Sequence, residues 1–250
     1  MKTVLAVAAG LLVLLLAEAA AQAADIVVMS STGLQAALEA LAPKLEKATG
    51  DKLAMTIGPG NDLKDKIEGG ATFDVTILTP ALIDMLIHDG KVVPGSAANI
   101  ARAGVGVAYK AGGKRPDIST LAALKQTLLE VKSITYATAG QSGTYFIKLI
   151  DQMGITDQVK AKSKTLPGGH GVGELVATGQ VELAVQSVPD LMAAQGVEVV
   201  PFPKDLQNYT VLTGGVAASS KNPQAAMAFL KYLTAPEAVP VLKAKGLALD

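Results

Sequence analysis

Hydrophobic and polar positions along the first half of the chain fall into blocks that predict strands followed by helices. The apolar run 26–29 predicts a buried strand, and leucines then recur at helical spacing until Gly50, a favourable helix stop. By the same criteria, strands are expected at 52–57 and 74–78, and helices at 63–68 and 80–89. This alternation predicts an α/β fold with helices on the faces of a sheet.

The second half repeats the alternation without a low-complexity linker or a short internal repeat. Helices are expected at 121–131, 145–153, 173–178, 189–195 and 223–234, and strands at 105–109, 134–137, 181–186, 197–200 and 209–218. Each half holds roughly 100 residues, enough for a core of its own. Two α/β halves tied together by extended strands are therefore predicted.

The first residues have the pattern of a cleavable export signal. Lys2 precedes the apolar run 4–16, and residues 21–23 form a small-x-small cleavage site. The alternative, a membrane anchor, needs about 20 apolar residues, more than this run provides. We therefore expect residues 1–24 to be a signal peptide and the mature protein to be exported, to the periplasm where the host has two membranes.

The composition argues against several kinds of partner. The net charge is zero and no basic block occurs, so nucleic acid is not expected to bind. There is no cysteine, and the two histidines have no neighbouring carboxylate pattern, so neither a disulfide nor a metal site nor a cofactor is expected. An aromatic content of 4% without tryptophan disfavours a sugar site walled by stacked rings.

A polar turn directly after the first strand is a candidate anion site. The turn 30–33 combines hydroxyl groups with the free N–H groups of a helix start, and both are donors to an anion. Ser31 and Thr32 are the predicted contacts, although both are also residue types that simply cap helices. Asn61, in the loop 58–62, is either a further contact or only a turn former.

Other candidates lie beyond the first three strands. Ser142 and Thr144 belong to a Gly-x-Ser-Gly-Thr loop, which lacks the spacing of a nucleophile elbow, so ligand contact is predicted rather than hydrolysis. His170 lies in a glycine-rich loop that allows close approach of a ligand; simple exposure is the alternative. Arg102 either grips a carboxylate in a two-pronged fashion or is a surface charge. His88, at a helix end, is expected only to favour the helix dipole.

Several motifs occur in an order and spacing that carry a family resemblance. They are Val-Met-Ser-Ser-Thr-Gly-Leu at 28–34, Gly-Asn-Asp-Leu-Lys at 60–64, Phe-Asp-Val-Thr-Ile-Leu at 73–78, Ala-Gly-Gln-Ser-Gly-Thr-Tyr at 139–145, Ala-Val-Gln-Ser-Val-Pro-Asp-Leu at 184–191 and the helix pattern at 222–238. Over nearly all of the mature chain, this arrangement resembles the periplasmic molybdate-binding proteins, and more broadly the type II solute-binding proteins of ABC importers.

The resemblance implies a two-lobed fold with a ligand cleft between lobes that are joined by two extended hinge strands. Lobe 1 is expected to be discontinuous, at 25–111 plus 209–250, and lobe 2 to span 112–208. The lobes close around the ligand by a hinge motion. A monomer that docks on an ABC permease is the expected functional form.

The match departs from the molybdate-binding pattern at several contact positions. Gly33 stands where the family often has a ligand serine, and the loop 58–62 has no run of serines. Ser187, preceded by Gln186, takes the place of a tyrosine that commonly closes over the anion. Gln186 is therefore a predicted contact, and the donors have longer reach than a compact hydroxyl cage. A di- or tricarboxylate fits them better than a tetrahedral oxyanion.

The leading functional prediction is a periplasmic binding protein that passes a small oxyanion or a di- or tricarboxylate to an ABC importer. The alternative is a second resemblance on the same scaffold, the exported aconitate isomerases, which interconvert trans- and cis-aconitate by proton transfer. His170 would then act as the acid or base, with Arg102 among the groups that hold carboxylates. A ligand-sensing regulator is disfavoured, because the chain has an export signal and no helix-turn-helix segment.

Overall fold

The computed structural model describes residues 25–249 of the 250-residue chain, so the predicted signal peptide at 1–24 lies outside the described residues. The strands are β1 (Asp25–Ser31), β2 (Lys52–Gly58), β3 (Val75–Leu78), β4 (Ala98–Lys110), β5 (Ile134–Tyr136), β6 (Leu183–Ser187), β7 (Val197–Pro201), β8 (Tyr209–Val216) and β9 (Leu247–Ala248). The helices are α1 (Gln35–Thr49), α2 (Gly60–Glu68), α3 (Pro80–His88), α4 (Leu121–Glu130), α5 (Gln141–Gln152), α6 (Thr156–Lys160), α7 (Val172–Ala177), α8 (Val188–Ala193), α9 (Pro223–Leu233) and α10 (Val239–Ala244). Two 3-10 turns occupy Thr32–Leu34 and Lys204–Leu206. Within the described residues, no helix combines the length and the apolar character needed to cross a membrane.

The strands follow one continuous path of pairing. Their order is β2-β1-β3-β8-β4-β6-β5, and β7 and β9 also pair with β4. β1 is parallel to β2 and β3, and β5 is parallel to β6, whereas β8 runs antiparallel to β3 and β4. Most of the parallel strands are followed by a helix, so the α/β alternation predicted from the sequence is confirmed.

Strand β4 takes part in two separate hydrophobic cores. Its residues up to Ala103 pack with β1, α1 and α9, whereas Val105, Val107 and Tyr109 pack with β5, β6, α4 and α5. At the same point β4 exchanges β8 and β9 for β6 and β7 as its pairing partners. The chain therefore crosses between the cores inside this strand. The predicted bounds of the lobes, at 25–111 plus 209–250 and at 112–208, stay a prediction.

The side chain of Gln207 joins the backbone groups at this crossing, and we refer to its contacts as the Gln207 bracket. Its Oε1 accepts from the N–H of Val105 at 2.6 Å, and its Nε2 donates to the carbonyl groups of Val105 at 3.0 Å and Phe202 at 3.2 Å. Gly104 lies so close that a Cβ there would be 3.0 Å from atoms of the Gln207 amide. Val105 thus has side-chain partners at the point where its strand changes neighbours.

Helix α5 begins earlier than the sequence pattern predicts. Its first residue is Gln141 rather than residue 145, so Ser142 and Thr144 lie in its first turn and not in a loop. The prediction of a loop was wrong because glycine and hydroxyl residues have weak helix propensity. Packing overrides that propensity here: a Cβ on Gly143 would lie 2.1 Å from the carbonyl oxygen of Ala137, so this turn approaches the end of β5 as only a glycine allows.

Other differences concern short or glycine-rich elements. α2 begins at Gly60 rather than residue 63, which places Asn61 in its first turn, and Asp62 there complements the helix dipole. β4 extends well beyond the predicted strand 105–109, because its alternating alanines and glycines give little strand signal. Helices α6 and α10 and strand β9 were not predicted, since they are too short to show a period.

Candidate functional site

The carboxyl ends of two groups of parallel strands converge on the crossing in β4. β3 ends beside β8, β1 ends beside β3, and β6 ends at Ser187, which pairs with Val105. The turn Thr32–Leu34 after β1 contacts helix α8, which follows β6, so the two groups of strand ends face each other. Ligands of open α/β sheets bind beyond the carboxyl ends of the strands. This cleft is therefore the candidate functional site.

Ser31 presents a hydroxyl group on the first side of the cleft. Its Oγ is buried and has no hydrogen-bond partner among the described residues, and it makes no cap bond to the turn that follows. The capping alternative is thus not realised in this structure. Leaving a buried hydroxyl without a partner costs about 1–3 kcal/mol. Ser31 is accordingly well suited to accept or donate a hydrogen bond to a ligand, and Thr32 lies partly buried beside it.

Gln186 is held in a single orientation on the second side of the cleft. The residue is 2% exposed, and its Oε1 accepts hydrogen bonds from the Ser187 N–H at 3.0 Å and from the Ser142 hydroxyl. Because a backbone N–H can only donate, the atom that faces it is the amide oxygen. The NH₂ group is therefore directed elsewhere, toward Gly169, where a Cβ would lie 2.5 Å from Nε2. Ser142 and Gln186, both predicted contacts, are brought together.

Asp190 adds a carboxyl group beside Gln186. Its Oδ2 accepts from the Ser187 hydroxyl at 2.7 Å, and a Cβ on Gly169 would lie 3.2 Å from the same oxygen. Burial raises the pKa of the Asp190 carboxyl; the bond from Ser187 and the nearby His170 oppose this effect, and Glu174 adds to it. The carboxyl therefore keeps its proton to a higher pH than an ordinary aspartic acid.

Ser142, Gln186, Ser187 and Asp190 form one connected group, which we call the Asp190 cluster. The backbone at Gly169 passes directly against it, and this close approach requires a residue without a side chain. His170, the next residue, is exposed and acts electrostatically on Asp190. The glycine-rich loop therefore brings a histidine to the edge of a half-buried carboxyl group.

The remaining predicted contacts lie in less enclosed places. Asn61 and Thr144 are exposed in the first turns of α2 and α5. The guanidinium group of Arg102 donates to the Leu249 carbonyl at 3.0 Å and lies 4.8 Å from the centre of the Tyr209 ring, so in this structure it anchors the C-terminal segment. The predicted ligand roles of all three residues stay predictions.

Asp190 and the hydroxyl of Ser187 are site residues that the sequence analysis did not select. A carboxylate three residues after a serine at a helix start is typical of an ordinary helix N-terminus, so the pattern Ser-Val-Pro-Asp carries no separate signal. Only the packing of Gly169 against Asp190 identifies it as part of a cleft. Together the two sides offer hydroxyl and amide donors with one carboxyl group, which can bind an anion or exchange a proton with it.

Comparison with known proteins places these features in a family context. A family model described as bacterial extracellular solute-binding protein matches residues 26–248. An aconitate isomerase from a Pseudomonas species is 30% identical over 236 residues, which cover 92% of this chain and 89% of that protein. The molybdate-binding protein ModA of Azotobacter vinelandii is 29% identical over 264 residues, which cover 100% of this chain and 98% of that protein.

Solved structures show the same architecture. The periplasmic molybdate-binding protein of Azotobacter vinelandii superimposes with a TM-score of 0.75 at 19% sequence identity, over 90% of this chain and 99% of that chain. At this identity the likeness bears on the fold alone. The two-lobed α/β fold of type II periplasmic binding proteins, predicted from the sequence motifs, is confirmed.

Proposed function

This chain belongs to the bacterial extracellular solute-binding protein family, and from that premise we propose that it captures a small di- or tricarboxylate in the periplasm and delivers it to an ABC permease. The Asp190 cluster carries the proposal. A fully ionised tetrahedral oxyanion is best enclosed by N–H and hydroxyl donors; an ionised carboxylate in the wall repels it, and the oxyanion brings no proton to neutralise that charge. A ligand with several carboxyl groups can instead place one of them against Asp190 and share a hydrogen between the two.

The reach of the donors supports the same ligand class. The hydroxyl of Ser31 lies on one side of the cleft and the amide of Gln186 on the other, each on a different group of strand ends. Separate donors suit a ligand whose acceptor oxygens are themselves separate. Neutral donors can bind an ionised carboxylate without a full positive charge, since hydrogen bonds to charged groups contribute about 1.5–3 kcal/mol each.

A thermal-shift screen of residues 25–250 tests this proposal. A ligand at about a thousand times its dissociation constant should stabilise the protein by roughly 4 kcal/mol and raise Tm by about 8–16 °C. We expect shifts with citrate or the aconitates. A shift with molybdate and tungstate alone would show an oxyanion importer and reject the carboxylate. The Ser31→Ala variant should bind its ligand more weakly although its ligand-free Tm is equal to or higher than that of the parent, because Ser31 Oγ is buried without a partner among the described residues and its removal relieves that cost.

Aconitate isomerisation is a second candidate, favoured by one specific observation. His170 lies close enough to Asp190 to act on its titration, so a possible acid and a possible base meet at the cleft. The relative from a Pseudomonas species that is 30% identical is itself an aconitate isomerase. Such an enzyme removes a proton from one carbon of aconitate and returns it to another, with no external reactant.

Proton NMR separates the two candidates. The vinylic signals of trans- and cis-aconitate are distinct, so catalytic amounts of protein would change their ratio if the chain is an isomerase. His170→Ala should then abolish turnover, whereas His88→Ala, which removes the other histidine at an exposed position beside Asp89, should not. If the parent protein leaves the ratio of trans- to cis-aconitate unchanged, isomerisation is excluded and solute binding is the function that remains.

A further inference from the structure

We propose that the cleft takes up a proton together with its anionic ligand, and that Asp190 holds this proton as a hydrogen-bond donor to the ligand. The proposal rests on the proposed function of the cleft as an anion site. It adds a property that the ligand class does not imply, namely that binding changes with pH through one identified carboxyl group. The protonation state of Asp190 thereby determines the pH range in which the complex with the anion forms.

The first support is the position of the carboxyl group. Asp190 lies in the first turn of α8, and α8 is the helix that contacts the turn Thr32–Leu34 from the other side of the cleft. Oδ2 is occupied by the hydroxyl of Ser187, and none of the ion pairs within the described residues involves Asp190. A ligand in the cleft therefore meets a carboxyl group that has no lysine or arginine to neutralise it.

The second support is the rest of the cluster: among the described residues, the hydroxyl of Ser187 is the group seen to donate a hydrogen bond to Asp190, and the NH₂ group of Gln186, which is directed toward Gly169, makes no such bond. The amide oxygen of Gln186 already accepts hydrogen bonds from the Ser142 hydroxyl and the Ser187 N–H, and the backbone at Gly169 lies directly against the cluster. An ionised Asp190 in this setting would be poorly solvated and would repel an anion. A protonated Asp190 removes the repulsion and gains a donor for the ligand.

The charged groups around Asp190 agree with this assignment. α8 packs against β4, β6, β7, α7 and the turn Thr32–Leu34. Among the groups on and next to these elements, those that act on Asp190 are Glu174 in α7 and His170 just before it. Burial, the largest effect, raises the pKa of Asp190 and Glu174 adds to it, and together they outweigh the Ser187 hydrogen bond and His170, which favour the ionised carboxyl. A bound anion adds negative charge and shifts the balance further toward the proton.

Affinity should therefore fall as the pH rises. Because binding requires the uptake of one proton, the affinity should fall by about tenfold for each pH unit above the pKa of ligand-free Asp190. Below that pKa the affinity should be constant. Replacing Asp190 by asparagine removes the charge and keeps an acceptor for Ser187 and a donor for the ligand. Asp190→Asn should bind with an affinity that stays near the low-pH limit of the parent protein.

Calorimetric titration with trans-aconitate, and with molybdate as a second probe, tests this from about pH 5 to about pH 8. We expect the parent and the control Asp157→Asn, an exposed aspartate in α6, to show the same pH dependence, and Asp190→Asn to lose it. A dependence that survives in Asp190→Asn but disappears in His170→Asn would overturn the proposal, because the imidazole would then be the proton acceptor. Absence of binding by any anion would reject the proposed function, whereas binding with equal pH dependence in parent and Asp190→Asn rejects only this inference.

A ligand-free measurement decides independently whether Asp190 holds its proton. The carboxyl carbons of ¹³C-labelled aspartate can be titrated by NMR, with Asp190→Asn providing the assignment. A raised pKa also means that the contribution of Asp190 to the free energy of unfolding is fully present below its unfolded-state pKa and is lost as pH rises through its folded-state pKa. The Tm of Asp190→Asn minus that of the parent should accordingly grow with pH. Titration of Asp190 at or below the ordinary aspartate range would contradict the proposal.

Discussion

Gly143 determines where helix α5 can begin and therefore where Ser142 stands. A Cβ at this position would lie 2.1 Å from the carbonyl oxygen of Ala137, a distance that side-chain adjustment cannot relieve because the obstacle is backbone. The helix start must move if any side chain is added. Ser142, one residue earlier, would then lose its bond to Gln186, and the amide oxygen would be held by the N–H of Ser187 alone.

We expect Gly143→Ala to lower the free energy of unfolding by about 1–3 kcal/mol through overpacking, and to weaken ligand binding as well. Gly168→Ala is the matched control, because nothing lies within 4 Å of a Cβ built there. Urea denaturation compares the two variants. If Gly143→Ala is as stable as the parent, the start of α5 can shift at no cost, and the close contact with the Ala137 carbonyl does not fix its position.

The sequence predicted some residues of the cleft and missed others. Ser142 and Gln186 were predicted from motifs, and the structure places them in contact. Asp190 was missed, because its importance comes from Gly169, a residue 21 positions earlier whose backbone approaches it in space. Sequence periodicity carries information about neighbours along one helix or strand, and none about a contact between two segments that are far apart in the chain.

Strand β4 and the segment that precedes β8 are kept in register by the Gln207 bracket. The hinge is formed where β4 leaves β8 for β6, and a sheet normally loses backbone hydrogen bonds at such a point. Gln207 gives the Val105 N–H an acceptor from its side chain, and it adds a second donor to the Val105 carbonyl, which also accepts from the N–H of Phe202 at 2.9 Å. The long strands and helices were predicted from their periods, but a glutamine that acts as a strand partner has no period to recognise.

Gln207→Ala should lower the free energy of unfolding by about 1–3 kcal/mol, since it leaves hydrogen-bonding groups of Val105 without their side-chain partner. Gln207→Glu keeps an acceptor for the Val105 N–H but loses the donor for the carbonyls, so it should also destabilise. Gln195→Ala, at an exposed glutamine in the same half of the chain, serves as the control. The structural role of the bracket would be refuted if both Gln207 variants, like the Gln195→Ala control, unfolded at the same denaturant concentration as the parent.

The two halves of the molecule also touch away from the hinge strands, at Gly246. This glycine has a φ of +79° just before β9, and a Cβ there would lie 2.7 Å from Met192 Sδ and from Val188 Cγ1 of α8. β9 pairs with β4 in the region of the first core, whereas α8 follows β6. On this side, helix α8 and the C-terminal segment therefore approach each other as closely as only a glycine permits.

Gly246→Ala should push α8 away from the C-terminal segment and favour an opened arrangement of the lobes. Gly179→Ala is the control, because Gly179 also has a positive φ, +73°, but nothing lies within 4 Å of its Cβ position. Both variants bear the backbone strain of about 1–2 kcal/mol, and only the first adds the clash. Small-angle X-ray scattering should give a larger radius of gyration for Gly246→Ala alone; identical scattering curves would argue that the lobes absorb the clash locally.

The membership of β4 in two cores has a consequence for the order in which the chain can fold. The second core draws its residues from 105 to 202, so all of them have left the ribosome while the C-terminal part is still being made. The first core needs Phe229 and Leu230 of α9 and Leu247 of β9, which come last. The N-terminal strand β1 therefore waits for partners made roughly 200 residues later, and such non-local closure is slow. A nascent chain of this kind stays incompletely folded at least until α9 and β9 have been made, and an incompletely folded polypeptide can still be threaded through a narrow channel.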